Sequence, residues 1–392
     1  MSKGFAEVVK QSSPKIIKKL KRSVIEEFGR LEEPRTKREP KHLLIDLVAI
    51  VILATLSGAD NMVAVETYGK AKQEWLETFL ELPNGIPSHD TFSRVIAMID
   101  PQQMQECFLS WVKHLSEKLE INVISIDGKT ARGSYDREGG LKALHTVSAW
   151  ASEHHLVLGS QAVESKSNEI TAIPELLNLL DLTGAIITLD AMGTQRNIAA
   201  QIIEQKGDYI LALKGNQGNL HQKVVAFFAQ AQLKNWEGID YSYSEKTEAG
   251  HHRIEHRQVW VVGLDQLSEL SEAKKWKGLA SVVMVKRERQ LWNKRTMEVC
   301  FYITSLAADA VVLAEAIRAH WGVENSLHWV LDVTFKEDSS RIRQGNGPEN
   351  MGLIRRLCIN LLKRDPSQKS IAMKRYRGAM DNDYADLLLS LA

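Results

Sequence analysis

Two short, mainly apolar runs, each followed directly by an aspartate, constrain this chain more than any other feature. The runs are Val123–Ile126, followed by Asp127, and Ile186–Leu189, followed by Asp190. Such runs predict buried strands. An acid at the carboxyl end of a strand lies at the edge of the sheet, where open α/β sheets bind ligands. A turn or helix-cap role would explain either aspartate alone, but the pair in one sheet favours a functional site.

The segments around these runs predict a mixed α/β sheet. Between residues 119 and 216, hairpin-connected strands come first and helices separate the later strands, in the order β-β-β-α-β-α-β. This is the order of an RNase H-like mixed sheet, in which the first and fourth strands are neighbours. After the first run we predict strands at Leu144–Trp150, His155–Val163, Ile186–Leu189 and Tyr209–Leu213, and helices at Glu169–Leu182 and Arg196–Lys206.

Changes of pattern along the chain predict five parts. They are a basic segment and linker at 1–40, an all-helical domain at 41–118, the α/β domain at 119–216 and 306–375, a β-rich insertion at 217–305, and a C-terminal tail at 376–392. A turn at Asn84–Pro87 followed by a polar-faced helix makes the helical domain either a helix-turn-helix or a plain bundle. In the first case the exposed candidates for contacting DNA are Ser88, His89, Thr91 and Arg94.

Positive charge is concentrated near the two ends, although the net charge of the 392-residue chain is only +1. Residues 1–22 carry seven Lys or Arg against one acid, and residues 339–377 carry ten against two. Two basic segments on a nearly neutral protein favour a polyanionic partner. A solvated tail and a soluble helix face explain either segment alone equally well.

The three cysteines are far apart and have no CxxC spacing, so we expect neither a disulfide framework nor a cysteine zinc site. The start of the chain has no apolar core of a signal peptide. The longest apolar run, Leu43–Leu56, contains Asp46 and is too short to span a bilayer. These features predict a cytoplasmic protein without a membrane partner.

A third acid is expected from a helix beside the sheet. The spacing predicts one long helix at Ala308–Leu331, and the best candidate on it is Glu324. His320, Glu324 and His328 are spaced i, i+4 and i+8, so they share one helix face. Asp332, Glu337 and Asp338 are nearby acids that compete for the role.

Close carboxylates repel each other unless a cation or a proton lies between them. Oxygen ligands suit a hard divalent ion such as Mg²⁺. Two such ions about 3.5–4 Å apart activate the nucleophile and stabilise the leaving oxygen in phosphodiester chemistry. The aspartate pair therefore predicts a site for two Mg²⁺ or Mn²⁺ ions.

Four motifs together resemble the ISAs1 family of insertion-sequence transposases, which includes the bacterial H-repeat-associated proteins and is related to the wider IS4 group. The motifs are Ile126–Lys129, Leu189–Ala191, Leu211–Gln217 and His320–Asn325. The resemblance covers roughly residues 10–375. It implies an RNase H-like core with a DDE triad at Asp127, Asp190 and Glu324, a helical accessory domain before it, and a β-strand insertion.

The helix of Glu324 departs from the broader IS4 pattern, which has a Tyr, an Arg and a Lys along this helix. Ile317, His320 and Leu331 stand at those positions. The usual phosphate contacts of this helix are therefore not carried over. His320 is a candidate donor to a phosphate, and Arg318 or Lys336 are candidates to supply the positive charge.

The resemblance implies metal-dependent cleavage and strand transfer of double-stranded DNA, at transposon ends and at a target. It also implies a homodimer in the synaptic complex and a place near the bacterial nucleoid. Trp321 and Trp292 are candidates for stacking on an exposed base. The candidates for DNA contacts are Arg94, Lys129, Lys214, Asn216, Arg253, Arg257, Arg318, His320, Arg341 and Arg343, with Arg355 and Arg356 from the basic C-terminal segment. For Arg253 and Arg257, a cross-strand charge ladder is an equally good explanation.

Two alternatives belong to other functional classes. The first is a catalytically inactive or domesticated transposase derivative that only binds DNA. The second is a zinc hydrolase that uses the His320/Glu324/His328 face with His251, His252 and His256. The chain has no HExxH motif, which makes the second alternative much the weaker.

Overall fold

A mixed β-sheet of nine strands runs through the part of the chain that the structure describes. This computed structural model describes residues 24, 26–36, 39–117, 119–135, 140, 142–163, 168–250, 253–267 and 271–390. The predicted basic segment at residues 1–22 lies outside the described residues. The strands are β1 (Val123–Thr130), β2 (His145–Ala151), β3 (Leu156–Ala162), β4 (Ile186–Leu189), β5 (Asp208–Leu213), β6 (Ser242–Gly250), β7 (Arg253–Gly263), β8 (Ser281–Leu291) and β9 (Lys294–Thr304).

The two apolar runs lie side by side at the centre of this sheet. The strand order is β3-β2-β1-β4-β5-β9-β8-β7-β6, and β1 is antiparallel to β2 but parallel to β4. Ile126 lies opposite Leu189, so Asp127 and Asp190 follow at the same level of neighbouring strands. The predicted adjacency of the first and fourth strands is confirmed. However, β1 does not end at Asp127, because its pairing with β2 continues to Thr130.

Residues 217–305, predicted as a β-rich insertion, extend the same sheet. β9 pairs antiparallel with β5, with Ile303 opposite Leu211, and β8, β7 and β6 follow outward. The sequence predicts strands at His256–Val262, Leu279–Arg287 and Thr296–Thr304, which agree with β7, β8 and β9, but it predicts no strand at β6. The residues of β6 are mostly polar and none of them is buried, so they lack the apolar alternation by which a half-buried strand is predicted.

Helices lie before, between and after the strands. They are α1 (Leu44–Leu56), α2 (Met62–Ala71), α3 (Gln73–Leu76), α4 (His89–Met98), α5 (Pro101–Ser116), α6 (Glu169–Asn178), α7 (Arg196–Glu204), α8 (Gly218–Leu233), α9 (Ala310–Gly322), α10 (Gly347–Arg364), α11 (Ile371–Met380) and α12 (Asn382–Ser390).

Helix α9 covers one face of the sheet. Its Leu313 and Ile317 pack in a cluster with Val123 and Ile210, whereas Ile124 belongs to the larger core cluster. Successive residues of a strand point to opposite faces, so the two clusters lie on the two sides of the sheet. This packing places the carboxyl end of α9 beside the end of β4.

Helix α10 is largely buried, with 14 of its 18 residues buried. Asn350 donates to the carbonyls of Ile96 and Ile99, and Asn360 donates to the carbonyl of Val157. These bonds connect α10 both to the helices before the sheet and to the sheet itself. In the basic segment at residues 339–377, helix α10 is therefore packed in the core rather than solvated.

The residues predicted as a C-terminal tail form helices instead. Tyr384 of α12 is 1% exposed, and its hydroxyl donates to the Asp365 carboxylate over 2.5 Å. Leu388 is also fully buried. The helix at the end of the chain packs on α10 and α11. A short local run of apolar residues does not predict such contacts with other helices.

Residues 41–118 contain the predicted helices, among them α2 and α4. The backbone N–H and the ring of His89 both bond Glu66 of α2 at 2.7 Å, so His89 ties the start of α4 to α2. Arg94 is exposed. Whether α4 reads DNA stays a prediction. In the described part of the chain, no helix has the length and apolar character needed to cross a membrane.

A buried cluster of charges joins β1 to the segment after α9. Glu337 is 3% exposed and lies 3.5 Å from the Lys129 ammonium, 3.7 Å from the Arg355 guanidinium and 3.6 Å from that of Arg356. Lys129 also contacts Asp332 at 2.6 Å. Because charges inside a protein are costly unless they are paired, this cluster fixes the segment against the sheet.

We expect Glu337→Gln to destabilise the protein by about 3–5 kcal/mol, because it leaves two buried guanidinium groups without their shared carboxylate. Denaturant unfolding followed by circular dichroism measures the change. The control is Glu204→Gln, which removes an exposed ion pair with Lys277 and should cost less than about 1 kcal/mol. Equal effects of the two substitutions would contradict a structural role for the cluster.

Candidate functional site

The three predicted acids meet in one cleft at the edge of the sheet. Asp127 comes from β1, Asp190 follows β4, and Glu324 follows α9. All three line a cleft of about 670 Å³, whose wall also includes His320 and Trp321. The convergence of the triad, which the sequence predicted, is thus present in the fold.

Glu324 does not lie on an ordinary α-helix. The chain leaves α9 in π-helical turns at Val323–His328 and Val330–Thr334, where the sequence predicted one helix from Ala308 to Leu331. Buried Val323 and Leu327 hold the first π-helical segment in the core, and Glu324 between them is exposed to the cleft. Short π-helical stretches are frequent at functional sites.

Asp127, Glu324 and His328 form the tightest group, with one possible ligand atom from each lying within 4.8 Å of the others. In the described part of the chain, Asp190 does not belong to that group. Its Oδ1 accepts bonds from the backbone N–H groups of Met192 and Gly193 at 2.9 and 3.1 Å. The turn-capping role weighed for a lone aspartate is therefore real, and it orients the Asp190 carboxylate in the cleft.

The carboxyl of Asp127 is perturbed by its surroundings. Burial, followed by the negative charges of Glu324, Asp190 and Glu169, raises the pKa of Asp127 to about 7, against a bond from the backbone of Gly128 that lowers it. A carboxylate among other carboxylates in a partly dry cleft is stabilised by a cation. The electrostatics of the cleft thus fit a divalent metal ion.

The two histidines of the predicted helix face have different environments. His320 hydrogen-bonds Thr188 of β4, with 2.9 Å between its Nδ1 and Thr188 Oγ1, and burial lowers the pKa of His320. His328 is 7% exposed. Burial, with the positive charges of Arg356 and Lys129, lowers the pKa of His328 to about 3. Both rings are therefore neutral near pH 7, so His320 cannot replace the positive charge of an arginine.

The predicted His320/Glu324/His328 zinc face is not assembled, because His320 is outside the group that His328 and Glu324 form with Asp127. The other predicted zinc ligands, His251 and His252, lie outside the described residues. His256 lies on β7 and its ring bonds Thr247 at 2.9 Å.

Sequence reasoning missed a pair beside Asp127, formed by His145 of β2 and Glu169 of α6. The His145 Nε2 lies 2.6 Å from Glu169 Oε1, and its Nδ1 lies 2.7 Å from Thr130 Oγ1. A Cβ on Gly128 would lie 2.1 Å from that Glu169 oxygen. The glycine after Asp127 therefore gives Glu169 the space to approach the backbone. The only signal in the sequence was the glycine itself.

Of the predicted DNA contacts, Lys214 is exposed and lines the cleft. Asn216 is exposed as well, and its side chain donates to the carbonyl of Ala191 over 2.5 Å, next to Asp190. Arg341 is exposed, whereas Arg343 donates to the carbonyl of Gly133 over 2.9 Å.

Other predicted contacts form ion pairs with acids of the protein. Arg257 is 8% exposed and pairs with buried Glu255 on the same strand, and the exposed Arg253 lies 4.0 Å from the same carboxylate. Arg257 also lies 3.8 Å from Glu248 of the neighbouring strand β6, so the cross-strand charge ladder considered for this element is present. The partly exposed Arg318 lies 3.6 Å from Glu248.

Three of the basic residues predicted to contact DNA belong instead to the buried charge cluster. Lys129, Arg355 and Arg356 are 8%, 4% and 2% exposed, so the prediction that they contact phosphates is wrong for this conformation. Basic residues that pair with buried acids give the same sequence pattern as residues of a polyanion-binding surface.

A cationic and aromatic wall was also missed. The guanidinium groups of Arg287 and Arg289, both on β8, lie 4.7 and 5.6 Å from the ring centroid of Trp321, which is 37% exposed at the cleft. Trp292, at the tip of the β8–β9 hairpin, is fully exposed. Trp111, Trp150 and Trp276 are buried in the core, as expected for most tryptophans of the chain.

We expect Gly128→Ala to destabilise the protein by about 1–3 kcal/mol, since the new methyl group overlaps Glu169 and displaces it from His145. Thermal unfolding measures the loss. Gly215→Ala, near the same cleft, has no atom within 4 Å of its new Cβ and is the control. In a Glu169→Ala background the cost of Gly128→Ala should fall, because the shortest contacts are removed and only that to the His145 Nε2, at 2.8 Å, is left. The same cost in both backgrounds would contradict the proposed steric reason.

The raised pKa of Asp127 predicts a pH-dependent stability in metal-free buffer. Its ordinary value is 3.8 and its value in the fold is about 7. Between these values the folded protein keeps a proton that the unfolded chain has lost, so the free energy of unfolding falls as pH rises through this window. Asp127→Asn removes this fall. Its melting temperature should exceed that of the wild type above pH 7, and the gap should close towards pH 4. Parallel pH profiles would contradict the assignment.

The chain is similar to known proteins over most of its length. Residues 118–361 match the family described as Transposase DDE domain, and residues 25–112 match the one described as DDE_Tnp_1-associated. A putative transposase, YncI, of Escherichia coli O157:H7 is 39% identical over 94% of both chains. The H repeat-associated putative transposase YhhI of Escherichia coli K12 is 39% identical over 94% of this chain and 98% of its own.

A cryo-EM structure of the piggyBac transposase synaptic complex with hairpin DNA aligns with 95% of this chain and 79% of its own, at 12% identity and a TM-score of 0.42. The family matches and the bacterial relatives, by contrast, cover the three acids and the elements that carry them. The chain therefore belongs to the Transposase DDE domain family and is a DNA transposase, an enzyme that acts on DNA.

Proposed function

We propose that the protein cleaves the ends of an insertion sequence and joins them to target DNA, with Asp127, Asp190 and Glu324 as its catalytic residues. The observation that carries this proposal is the convergence of three carboxylates, from three separate elements, in one cleft. Neither a turn role for Asp190 nor burial of Asp127 explains why Glu324 projects into the same space.

We further propose that the core is RNase H-like and that the chain belongs to the ISAs1 subgroup. The order β3-β2-β1-β4-β5 of the first five strands, with β1 parallel to β4, supports the fold. The H-repeat-associated relatives support the subgroup. In this proposal residues 119–216 and 306–375 form the catalytic domain, 41–118 the helical accessory domain and 217–305 the insertion. Of the predicted tail at 376–392, the described residues 376–390 then extend the catalytic domain as packed helices.

The donor set fits divalent metal ions. The acids supply oxygen ligands, and their mutual repulsion at Asp127 requires a positive charge. We propose two Mg²⁺ or Mn²⁺ ions, with Asp127 facing both, and with Asp190 and Glu324 each holding one. Bound there, the ions supply charge stabilisation for phosphoryl transfer. The protein's own part is to orient the carboxylates, as the backbone of Met192 and Gly193 does for Asp190.

Double-stranded DNA would reach the cleft across exposed cationic groups. Lys214 and Arg341 are free enough to contact phosphates, and such contacts make binding sensitive to salt. We propose additional contacts from Arg94, Asn216, Arg253 and Arg318. His320, which is neutral, would act as a hydrogen-bonding partner rather than as a cation.

The synapsis of two DNA ends requires two active sites, so we propose that the working form is a homodimer. A bacterial cell would hold it in the cytoplasm, on nucleoid DNA. The presence of the three acids together in the cleft argues against the inactive-derivative alternative, and a nicking assay on the element's own ends discriminates between the two.

Asp127→Asn should keep binding DNA that carries the element's ends and lose Mg²⁺-dependent cleavage. We expect the cleavage rate to fall by about three orders of magnitude or more, because metal-based stabilisation of several kcal/mol is lost. A nicking assay on labelled end DNA, beside a gel-shift assay, measures both properties. Asp240→Asn, at an exposed position, is the matched control and should cleave normally. Cleavage by Asp127→Asn at the wild-type rate would overturn the proposal.

A further inference from the structure

His328 is a buried side chain that the triad alone does not explain. It lies one turn beyond Glu324, at the end of the first π-helical segment, and is 7% exposed. Among the described residues its Nε2 has no hydrogen-bond partner. A buried polar atom without a partner is costly, and the other ring nitrogen, Nδ1, is the one that faces the acids.

The ring faces the acids of the cleft. Its Nδ1 lies 3.5 Å from Asp127 Oδ2, which is too long for a good hydrogen bond. Ligands at neighbouring positions of one small divalent ion, with bonds of about 2.1 Å, are about 3 Å apart, and opposite ligands are about 4.2 Å apart. The group of Asp127, Glu324 and His328 spans at most 4.8 Å. These spacings are near those of three ligands around a single ion.

The π-helical turn makes this arrangement possible. His320 lies one turn before Glu324, yet its ring bonds Thr188 on β4 and is outside the group. His328 instead lies in the group with Asp127 and Glu324. Of the two histidines, His328 is therefore the one placed to share an ion with these two acids.

On the proposed metal-dependent function, we infer that His328 is a metal ligand, and that Asp127, Glu324 and His328 form a mixed oxygen–nitrogen site for one of the ions. An imidazole ligand favours first-row transition ions such as Mn²⁺ over Mg²⁺, which prefers oxygen. The ion bound by Asp127 and Asp190 is then the all-oxygen one. The two positions differ in metal preference.

The test is Mn²⁺ binding to the full-length protein without DNA, measured by electron paramagnetic resonance. Titration gives the Kd, and the pulsed experiment detects coupling to a histidine ¹⁴N. We expect that coupling in the wild type and in His320→Gln, which removes the neighbouring histidine of the same cleft. We expect it to be lost in His328→Gln and His328→Asn, with Kd for Mn²⁺ raised about tenfold or more. The Kd for Mg²⁺, from competition, should change by less than about threefold.

No ¹⁴N coupling in the wild type would overturn the inference without any variant. Coupling that survives in a folded His328 variant, or that disappears in His320→Gln, would also overturn it. The proposed function has a separate test. Mn²⁺ binding that is unchanged in Asp127→Asn would show that the acids of the cleft hold no metal ion. Circular dichroism confirms that each variant is folded.

Discussion

The parallel pairing of β1 with β4 is the constraint on which the site depends. With Ile126 opposite Leu189, backbone pairing places Asp127 and Asp190 at the same level of neighbouring strands. Burial, followed by the negative charges of Glu324 and Asp190, raises the pKa of Asp127. Glu324 is brought by a helix packed on the same face of the sheet. Three acids thus line one cleft, where a divalent ion would offset their repulsion.

A second set of charges holds this arrangement in place. Lys129 lies only two residues beyond Asp127 and pairs with acids of the segment that follows Glu324. Glu337 joins the same cluster to Arg355 and Arg356 of α10. The strand of Asp127 and the segment that follows Glu324 are therefore connected by buried ion pairs. This is why residues that resemble a polyanion-binding surface in the sequence serve the interior of the protein.

The sequence predicted the strands and acids because their signals are local. The apolar runs before Asp127 and Asp190 identify β1 and β4 without knowledge of the rest of the fold, and the predicted positions of the central strands and helices agree with the structure. Contacts between distant segments leave no such signal. The pair of His145 and Glu169, the stacking of Arg287 on Trp321, and the burial of Arg356 each depend on partners far away in the chain. The polar strand β6 was not predicted for a related reason. It is held by backbone pairing with β7, and none of its residues is buried, so its sequence has no apolar alternation.

The π-helical segment shows a further limit of periodic patterns. Spacing at i, i+4 and i+8 put His320, Glu324 and His328 on one face of an α-helix, and the wider turn separates His320 from the other two. The central claim is that β1, β4 and this segment together hold metal ions for DNA chemistry. Anomalous diffraction from crystals of the protein with Mn²⁺ and end DNA tests it most directly. The account predicts anomalous peaks between Asp127, Asp190 and Glu324, beside a phosphate of the bound DNA, and peaks only elsewhere would contradict it.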